Sequence, residues 1–414
     1  MFNKLHILYL HQYFATPSSN AGTRSYEMAK RLVKSGHKVT FVTSSAFLSK
    51  DHDLTDGWNV LEIEGIILHV LHLPYSNKDS YFIRMRKFFN FAFRSSLRAL
   101  KIKVDVVFAT STPLTIAIPG LLYSKLKSIP MVFEVRDLWP ELPIAIGAIK
   151  NPLLIKASKY LEKVAYFNSE HIVALSPGMR EGVIKCGIAP SKITIATNSC
   201  DTSLFDVHPE VGLQYKKNSL KFVRDRKLIV YTGTFGAIND VSYIVRLAEY
   251  AKQFAPDLCF LAIGDGMEKS LVMEEAKRSN VLGQNLYILD PMPKTEIVKL
   301  LSAADLALSL FGPIKEMWHN SANKLFDALA SQTPIAINYG GWQKEFITDS
   351  MCGLVLDSED PKGAIEEIAD FLDSQTRYEL AVSACRQLSY NEYSRDIMAT
   401  RLENVLLGVL NDKA

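Results

Sequence analysis

The sequence predicts an α/β protein made of two doubly wound, Rossmann-like domains. Three observations predict it. Apolar strand-like runs alternate with helical stretches, the alternation occurs in two series, and a polar segment, FDVHPEVGLQYKKNSLKFVRDR (205–226), separates them. A chain of 414 residues can also bury two cores.

In the first series LHILYL (5–10) reads as a buried strand, followed by a Ser/Asn/Gly loop and a helix over 24–35 that Gly36 stops. KVTFVTS (38–44) is the next strand, and IILHVL (66–71), VDVVFAT (104–110), PMVFEV (130–135) and HIVALS (171–176) follow. The second series is KLIVYTG (227–233), CFLAIGDG (259–266), NLYILD (285–290), LALSLF (306–311), PIAINY (334–339) and GLVLD (353–357). Continuous apolar strands joined through helices predict parallel sheets, whose ligands sit outside the carboxyl ends of the strands. The polar segment 205–226 reads as the crossing between domains, and YNEYSRDIMATRLENVLLGVL (390–410) reads as an amphipathic terminal helix.

Composition narrows the function classes. Hydrophobic residues make up 48%, charged residues 22%, and the net charge is +3, which argues against a nucleic-acid partner. Cys186, Cys200, Cys259, Cys352 and Cys385 are scattered without metal spacing, which predicts reduced thiols in the cytoplasm. The N-terminal MFNKLHILYLHQYF is too polar for a signal peptide, and no apolar run reaches the roughly 18 residues of a spanning helix. Asp51-His52-Asp53 lies in a polar loop without a flanking apolar strand, so no metal and no cofactor are expected.

The segment FGPIKEMWHNSANKLFDALASQTP (311–334) carries the most information. Ser321 suits an N-cap, and Asn323, Lys324 and Asp327 follow at helical spacing on one face. The opposite face is apolar through Leu325, Ala328 and Leu329, and Gln332 to Pro334 ends the helix. Free N–H groups at such a terminus favour phosphate, Lys324 adds a cation, and Asp327 is placed to accept from sugar hydroxyls. An ordinary surface helix with a charged first turn accounts for the same residues.

Asp327-Ala328-Leu329-Ala330-Ser331-Gln332-Thr333-Pro334 resembles the donor-site helix of retaining glycosyltransferases of the GT-B type, the clan of glycogen synthase and phosphatidylinositol mannosyltransferase, with Asp in place of Glu. The family's companion Glu, eight residues earlier, is His319 here. Four further stretches resemble the family in the expected order. Asn20-Ala21-Gly22-Thr23-Arg24 opens the first helix, with Gly22 allowing backbone to approach a ligand. Glu134-Val135-Arg136-Asp137-Leu138-Trp139-Pro140-Glu141-Leu142-Pro143 closes a strand. Many relatives have His-Asp at Arg136-Asp137, and Arg-Asp-Leu-Trp-Pro resembles a subgroup that transfers deoxyaminosugars such as N-acetylfucosamine in bacterial polysaccharide assembly. Tyr231 to Asp240 forms a two-glycine turn, where Gly233 and Gly236 permit close phosphate approach. The family's Arg and Lys in this turn are Thr234 and Asn239, so Lys324, with Lys315 behind it, is the expected source of charge. Gly264 and Gly266 resemble the family's Gly-x-Gly turn near the nucleotide base, and Asn198-Ser199-Cys200-Asp201 its segment at the end of the first domain.

The resemblance implies an acceptor domain over 1–204, a donor domain over 205–387, and a terminal segment, 388–414, that returns to the first domain. It implies a retaining transferase that takes a sugar from a nucleotide diphosphate, with UDP favoured, and gives it to a lipid-linked saccharide in O-antigen or capsule assembly. Asp137, Arg136 and His319 are the expected catalytic residues, and His11, directly after the first strand, is either one more or a satisfied structural histidine. A nucleotide-sugar 2-epimerase and a non-catalytic nucleotide-sugar-binding paralogue are the alternatives.

One stretch lies outside this pattern. YFIRMRKFFNFAFRSSLRALKIK (81–103) interleaves phenylalanines with Arg84, Arg86, Lys87 and Arg94 and contains no acid. Such a helix suits docking on an anionic membrane face, each cation contributing about 1 kcal/mol near the surface. A domain helix with buried phenylalanines and solvated cations is the competing reading. The first predicts a peripheral protein on the inner face of the plasma membrane.

Overall fold

The computed structural model describes residues 4–19, 21–48, 52–74 and 81–411. Asn20 and Asp51, singled out above, lie outside these. The chain forms two compact units: Met1–Thr197 with His319–Ser321 and Asp396–Ala414, and Asn198–Trp318 with Ala322–Arg395.

Unit 1 is built on β1 (His6–Leu10), β2 (Lys38–Ser44), β3 (Trp58–Ile63), β4 (Ile66–Leu71), β5 (Val106–Thr110), β6 (Met131–Val135), β7 (His171–Ala174) and β8 (Ile193–Ile195), in the order β3-β4-β2-β1-β5-β6-β7-β8. Leu8 and Leu10 of β1, Val107 and Ala109 of β5, and Met131 and Phe133 of β6 pack beneath the helices Tyr81–Ala99, Ala117–Lys127 and Pro152–Phe167. The wholly parallel sheet expected from sequence needs one correction: β3 pairs antiparallel with β4. Glu64 and Gly65, both at positive φ, make the two-residue turn between them. The alternating burial of β3 at a sheet edge gives little of the apolar signal that marks the central strands.

Unit 2 contains β9 (Lys227–Thr232), β10 (Leu258–Ile263), β11 (Leu286–Leu289), β12 (Leu306–Ser309), β13 (Ile335–Ile337) and β14 (Gly353–Val355), all parallel, in the order β11-β10-β9-β12-β13-β14. In each sheet the chain moves outward from one central strand and then returns to its other side, at β1/β5 in unit 1 and β9/β12 in unit 2. Connections leaving in opposite directions open a crevice at the carboxyl ends of these strands. Each unit therefore has its own ligand-ready edge.

Two further readings differ from the structure. Residues 205–226 are not a bare crossing: the helix Pro209–Ser219 packs on Lys294–Ala303 inside unit 2. Gly212 makes the approach possible, since a Cβ there would lie 2.1 Å from the Ser302 carbonyl oxygen. Residues 390–410 are not one helix but the end of Gln375–Asn391 and most of Arg395–Asn411. From Asp396 onward the last helix belongs to unit 1, where Arg31 Nε bonds Asp396 at 2.6 Å and His37 bonds Glu403 at 3.0 Å.

Candidate functional site

In unit 2 the expected donor residues gather at the β9/β12 edge. β9 ends at Thr232, and the chain turns sharply through Gly233. Gly233 N–H donates to the Ile263 carbonyl at 2.9 Å, and Phe235 N–H to Asp265 at 2.9 Å, which binds this turn to the one after β10. Only glycines allow that approach: a Cβ at Gly264 would lie 1.7 Å from the Gly233 carbonyl oxygen, and one at Gly266 would lie 2.2 Å from that of Phe235. Gly264 and Gly266 thus hold the Gly233 turn in shape.

Lys324 lies against this turn. A Cβ at Gly233 would meet Lys324 Cε at 2.5 Å, so glycine also clears the path of the lysine stem. The Nζ stands 5.0 Å above the Tyr231 ring and 5.4 Å from the Phe311 ring, cation–π contacts that offset part of its desolvation. Among the described residues it has no hydrogen-bond or ion-pair partner. Burial pushes its pKa down to about 8, against the weaker upward pull of Asp327. An unpartnered ammonium beside a glycine turn is a strong attractor for phosphate.

The helix Asn323–Ala330 is capped differently from the sequence expectation. Ala322, not Ser321, takes the N-cap position and supplies no side-chain cap, while Ser321 is buried and groups with unit 1. The helix end therefore keeps N–H groups that no capping side chain claims. Asn323 is exposed on its first turn. Asp327 is paired to Lys294 Nζ at 2.6 Å, a partner that no local motif announced. The Lys294 ammonium also lies 4.7 Å from the Phe205 ring, which steadies the pair. Thr234 is exposed, Gly236 opens toward the buried Asn239, and Asn239 N–H donates to the Gly236 carbonyl. Lys315 is exposed on the short helix Lys315–His319 and makes no hydrogen bond or ion pair among the described residues, so it does not join Lys324 directly.

His319 belongs to unit 1, whereas the sequence placed it within the donor domain. Its carbonyl accepts from Ser176 Oγ at 2.5 Å, and Gly178, in the first turn of the helix Pro177–Lys185, leaves room for its ring. A Cβ at Gly178 would fall 2.4 Å from His319 Nδ1.

In unit 1, His11, Arg136 and Asp137 also meet at a strand edge, after β1 and β6. His11 is 3% exposed, with Nδ1 2.9 Å from Ser25 Oγ and Nε2 3.2 Å from Arg136 Nη1. Burial and the Arg136 charge hold its pKa well below the ordinary histidine value. Asp137 accepts from Thr112 Oγ1 at 3.2 Å. Desolvation raises its pKa, opposed by the Arg136 charge and that hydrogen bond. Arg136 and Asp137, adjacent in sequence, do not form an ion pair. Gly22 is exposed in the loop before the helix Arg24–Lys34.

Sequence reasoning missed the supports of this edge. Arg24 is buried on Glu134 at 2.8 Å and donates to the carbonyls of Thr197 and Ala196 at 2.5 and 2.8 Å. Glu134 takes a further hydrogen bond from Thr110. A buried arginine and glutamate 110 residues apart leave no signal in spacing.

The helix Tyr81–Ala99 buries Phe91, Ala92 and Ala99 and leaves Phe82, Phe89 and Phe93 exposed by 77%, 51% and 66%. Arg86 is exposed; Arg84 and Arg94 are half-buried, and Lys87 donates to the Pro74 carbonyl at 2.7 Å. The exposed phenylalanines continue into Leu97 and, on the neighbouring helix Ala117–Lys127, Leu122 and Leu126.

The state of Lys324 sets a stability signature. Unfolded lysine keeps its proton to about 10.4, whereas folded Lys324 releases it near 8. Between these values the unfolded chain binds more protons, so stability rises with pH; below 8 the full cost is present. Lys324→Met is expected to raise unfolding free energy at neutral pH by roughly 1–2 kcal/mol, less than the whole shift because the side chain is only partly buried. It should also flatten the rise. Urea unfolding across this pH range checks both, and a destabilised variant with the parent's pH slope contradicts them.

Comparison with known proteins agrees with this architecture. The model of glycosyltransferase family 4 matches residues 21–204, and that of glycosyl transferases group 1 matches residues 214–395. A D-inositol 3-phosphate glycosyltransferase of Corynebacterium urealyticum is 21% identical over 271 residues, which are 60% of this chain and 62% of that protein. The putative colanic acid biosynthesis glycosyl transferase WcaI of Escherichia coli K12 is 19% identical over 280 residues, covering 65% of this chain and 68% of its own. The crystal structure of Anabaena Alr3699/HepE in complex with UDP and glucose superposes with a TM-score of 0.69 at 12% identity, covering 98% of this chain and all of the other. This chain therefore spans less than two thirds of the corynebacterial relative, and the likeness to the Anabaena protein is one of fold. With both family models matched in order and two Rossmann-like units in place, the chain belongs to the group 1 glycosyltransferases of the GT-B fold.

Proposed function

We propose that the protein transfers a sugar from a nucleotide diphosphate donor with retention of configuration. The observation that carries this reading is the unpartnered Lys324 ammonium against the Gly233 turn. A cation beside a glycine-lined approach is the combination that a diphosphate needs, which supports the reading. The helix N-terminus at Asn323 adds unclaimed N–H groups, and Asp327, held by Lys294, offers a carboxylate to ribose hydroxyls. UDP is the favoured carrier, supported by the UDP and glucose found in the Anabaena structure. The Glu134–Pro143 stretch supports a deoxyaminosugar such as N-acetylfucosamine. Lys324 would neutralise the departing diphosphate, so leaving-group stabilisation is the main catalytic term, with attack on the same face and no covalent nucleophile.

Asp327→Asn is expected to lower UDP affinity by about tenfold or more, the loss of one hydrogen bond to a charged group. Calorimetry with UDP measures this, and an unchanged affinity rules out the ribose assignment. On a nucleotide sugar plus saccharide acceptor, product NMR should show the donor's anomeric configuration. Conversion of the nucleotide sugar without acceptor would identify an epimerase instead.

The proposed acceptor is a lipid-linked saccharide of surface polysaccharide assembly, reached at the cytoplasmic face of the plasma membrane. The colanic acid relative supports the pathway class, and the exposed Phe82, Phe89 and Phe93 beside Arg86 support the surface. No helix among the described residues is long and apolar enough to cross a membrane. An acceptor held in the bilayer then requires a protein that visits it. Replacing Arg84, Arg86, Lys87 and Arg94 by Gln should reduce co-sedimentation with anionic vesicles and leave UDP affinity intact. Sedimentation equal to the parent's at low salt refutes the docking role.

A further inference from the structure

Two arginines lie at the β1/β6 edge of unit 1, and they are used differently. Arg24 is spent: its guanidinium is divided among Glu134, Ala196 and Thr197. Arg136 is not. Its main-chain N–H donates to Ser111 Oγ at 2.9 Å, and its Nη1 lies 3.2 Å from His11 Nε2 and 3.4 Å from Ser25 Oγ. Its Nε and Nη2 have no partner among the described residues, and Asp137 is turned to Thr112 instead of closing on it. The guanidinium is clamped on one side and open on the other.

His11 supplies the clamp, and its chemistry there is restricted. A guanidinium can only donate, so His11 Nε2 must carry a lone pair. The ring proton then sits on Nδ1 and donates to Ser25 Oγ, 2.9 Å away. An imidazolium would set N–H against N–H in a buried site. The charged groups around the ring reinforce this: Arg136 faces it directly, the Arg24–Glu134 pair is internally compensated, and Asp137 is hydrogen-bonded to Thr112. An uncharged, buried imidazole held by two hydrogen bonds is unsuited to proton transfer and suited to orientation.

We propose that His11 is a positioning residue that accepts from Arg136 at Nε2 and so presents the open guanidinium face to a phosphate of the ligand taken by unit 1. The phosphate belongs to the acceptor, making it a phosphate-linked saccharide. The acceptor assignment rests on the transferase reading above; the anion site itself does not.

Two measurements on the intact protein test this. In 15N spectra of the histidine rings, His11 should show protonated Nδ1 and lone-pair Nε2, unchanged over roughly pH 5.5 to 8. A ring that titrates as an exposed histidine does, or carries its proton on Nε2, overturns the proposal. Calorimetry with inorganic pyrophosphate in the presence of saturating UDP then reads the anion site. The parent should bind, Arg136→Gln should lose binding, and His11→Leu should weaken it about tenfold. His11→Gln, which sets a carbonyl oxygen where Nε2 stood, should recover most of the loss, separating orientation from misfolding. Equal pyrophosphate affinity in His11→Leu and the parent refutes the positioning role. Absence of pyrophosphate binding by the parent with UDP saturating overturns the proposal. Failure of UDP itself to bind counts against the donor reading alone, because the Arg136 and His11 differences are still measured.

Discussion

An ammonium group without a counter-ion is costly inside a protein, and the second unit is arranged to keep one. Lys324 reaches its place only because residue 233 has no side chain, and residue 233 is fixed by hydrogen bonds to the turn after β10. That turn in turn needs glycine at 264 and 266, where any Cβ would strike main chain. The aromatic rings of Tyr231 and Phe311 give the cation partial compensation without neutralising it. In the proposed reading that stability is given up for a site that an anion would complete, a common exchange at functional positions.

Much of this fold was legible in the sequence because its signals are local. Every central strand is a short apolar run between loops, and the two glycine turns follow strands directly. The residues Asn323, Lys324 and Asp327 share a helix face simply by spacing. What could not be read depends on distant partners or weak edges. β3 is half-exposed, so alternation there carries little apolar weight. Lys294 meets Asp327 across 33 residues, and Glu134 meets Arg24 across 110. The cap position shows the same limit: Ser321 has the right chemistry, but the backbone puts Ala322 at the helix start and buries the serine. His319 sits near Lys324 in the chain and yet packs against the helix Pro177–Lys185 of the other unit's fold.

In the proposed reading the two strand edges would meet an anion in different ways. In unit 2 a titratable cation is left unpartnered, and its proton affinity falls with burial. In unit 1 a guanidinium, permanently charged, is oriented by an uncharged imidazole. A ligand's charge would act on the first arrangement through protonation and would leave the second unchanged. Both follow from the same topology, since the carboxyl ends of β1/β5 and β9/β12 are where each parallel sheet opens.

This difference gives the most direct test of the account. If Lys324 meets the diphosphate, its proton affinity must rise when the ligand binds. Calorimetry of UDP binding at about pH 8.5, in buffers of different ionisation enthalpy, reads the protons taken up. The account predicts uptake of most of one proton by the parent protein and none by Lys324→Met. UDP binding without proton uptake, or equal uptake by the variant, would contradict the placement of the diphosphate at Lys324.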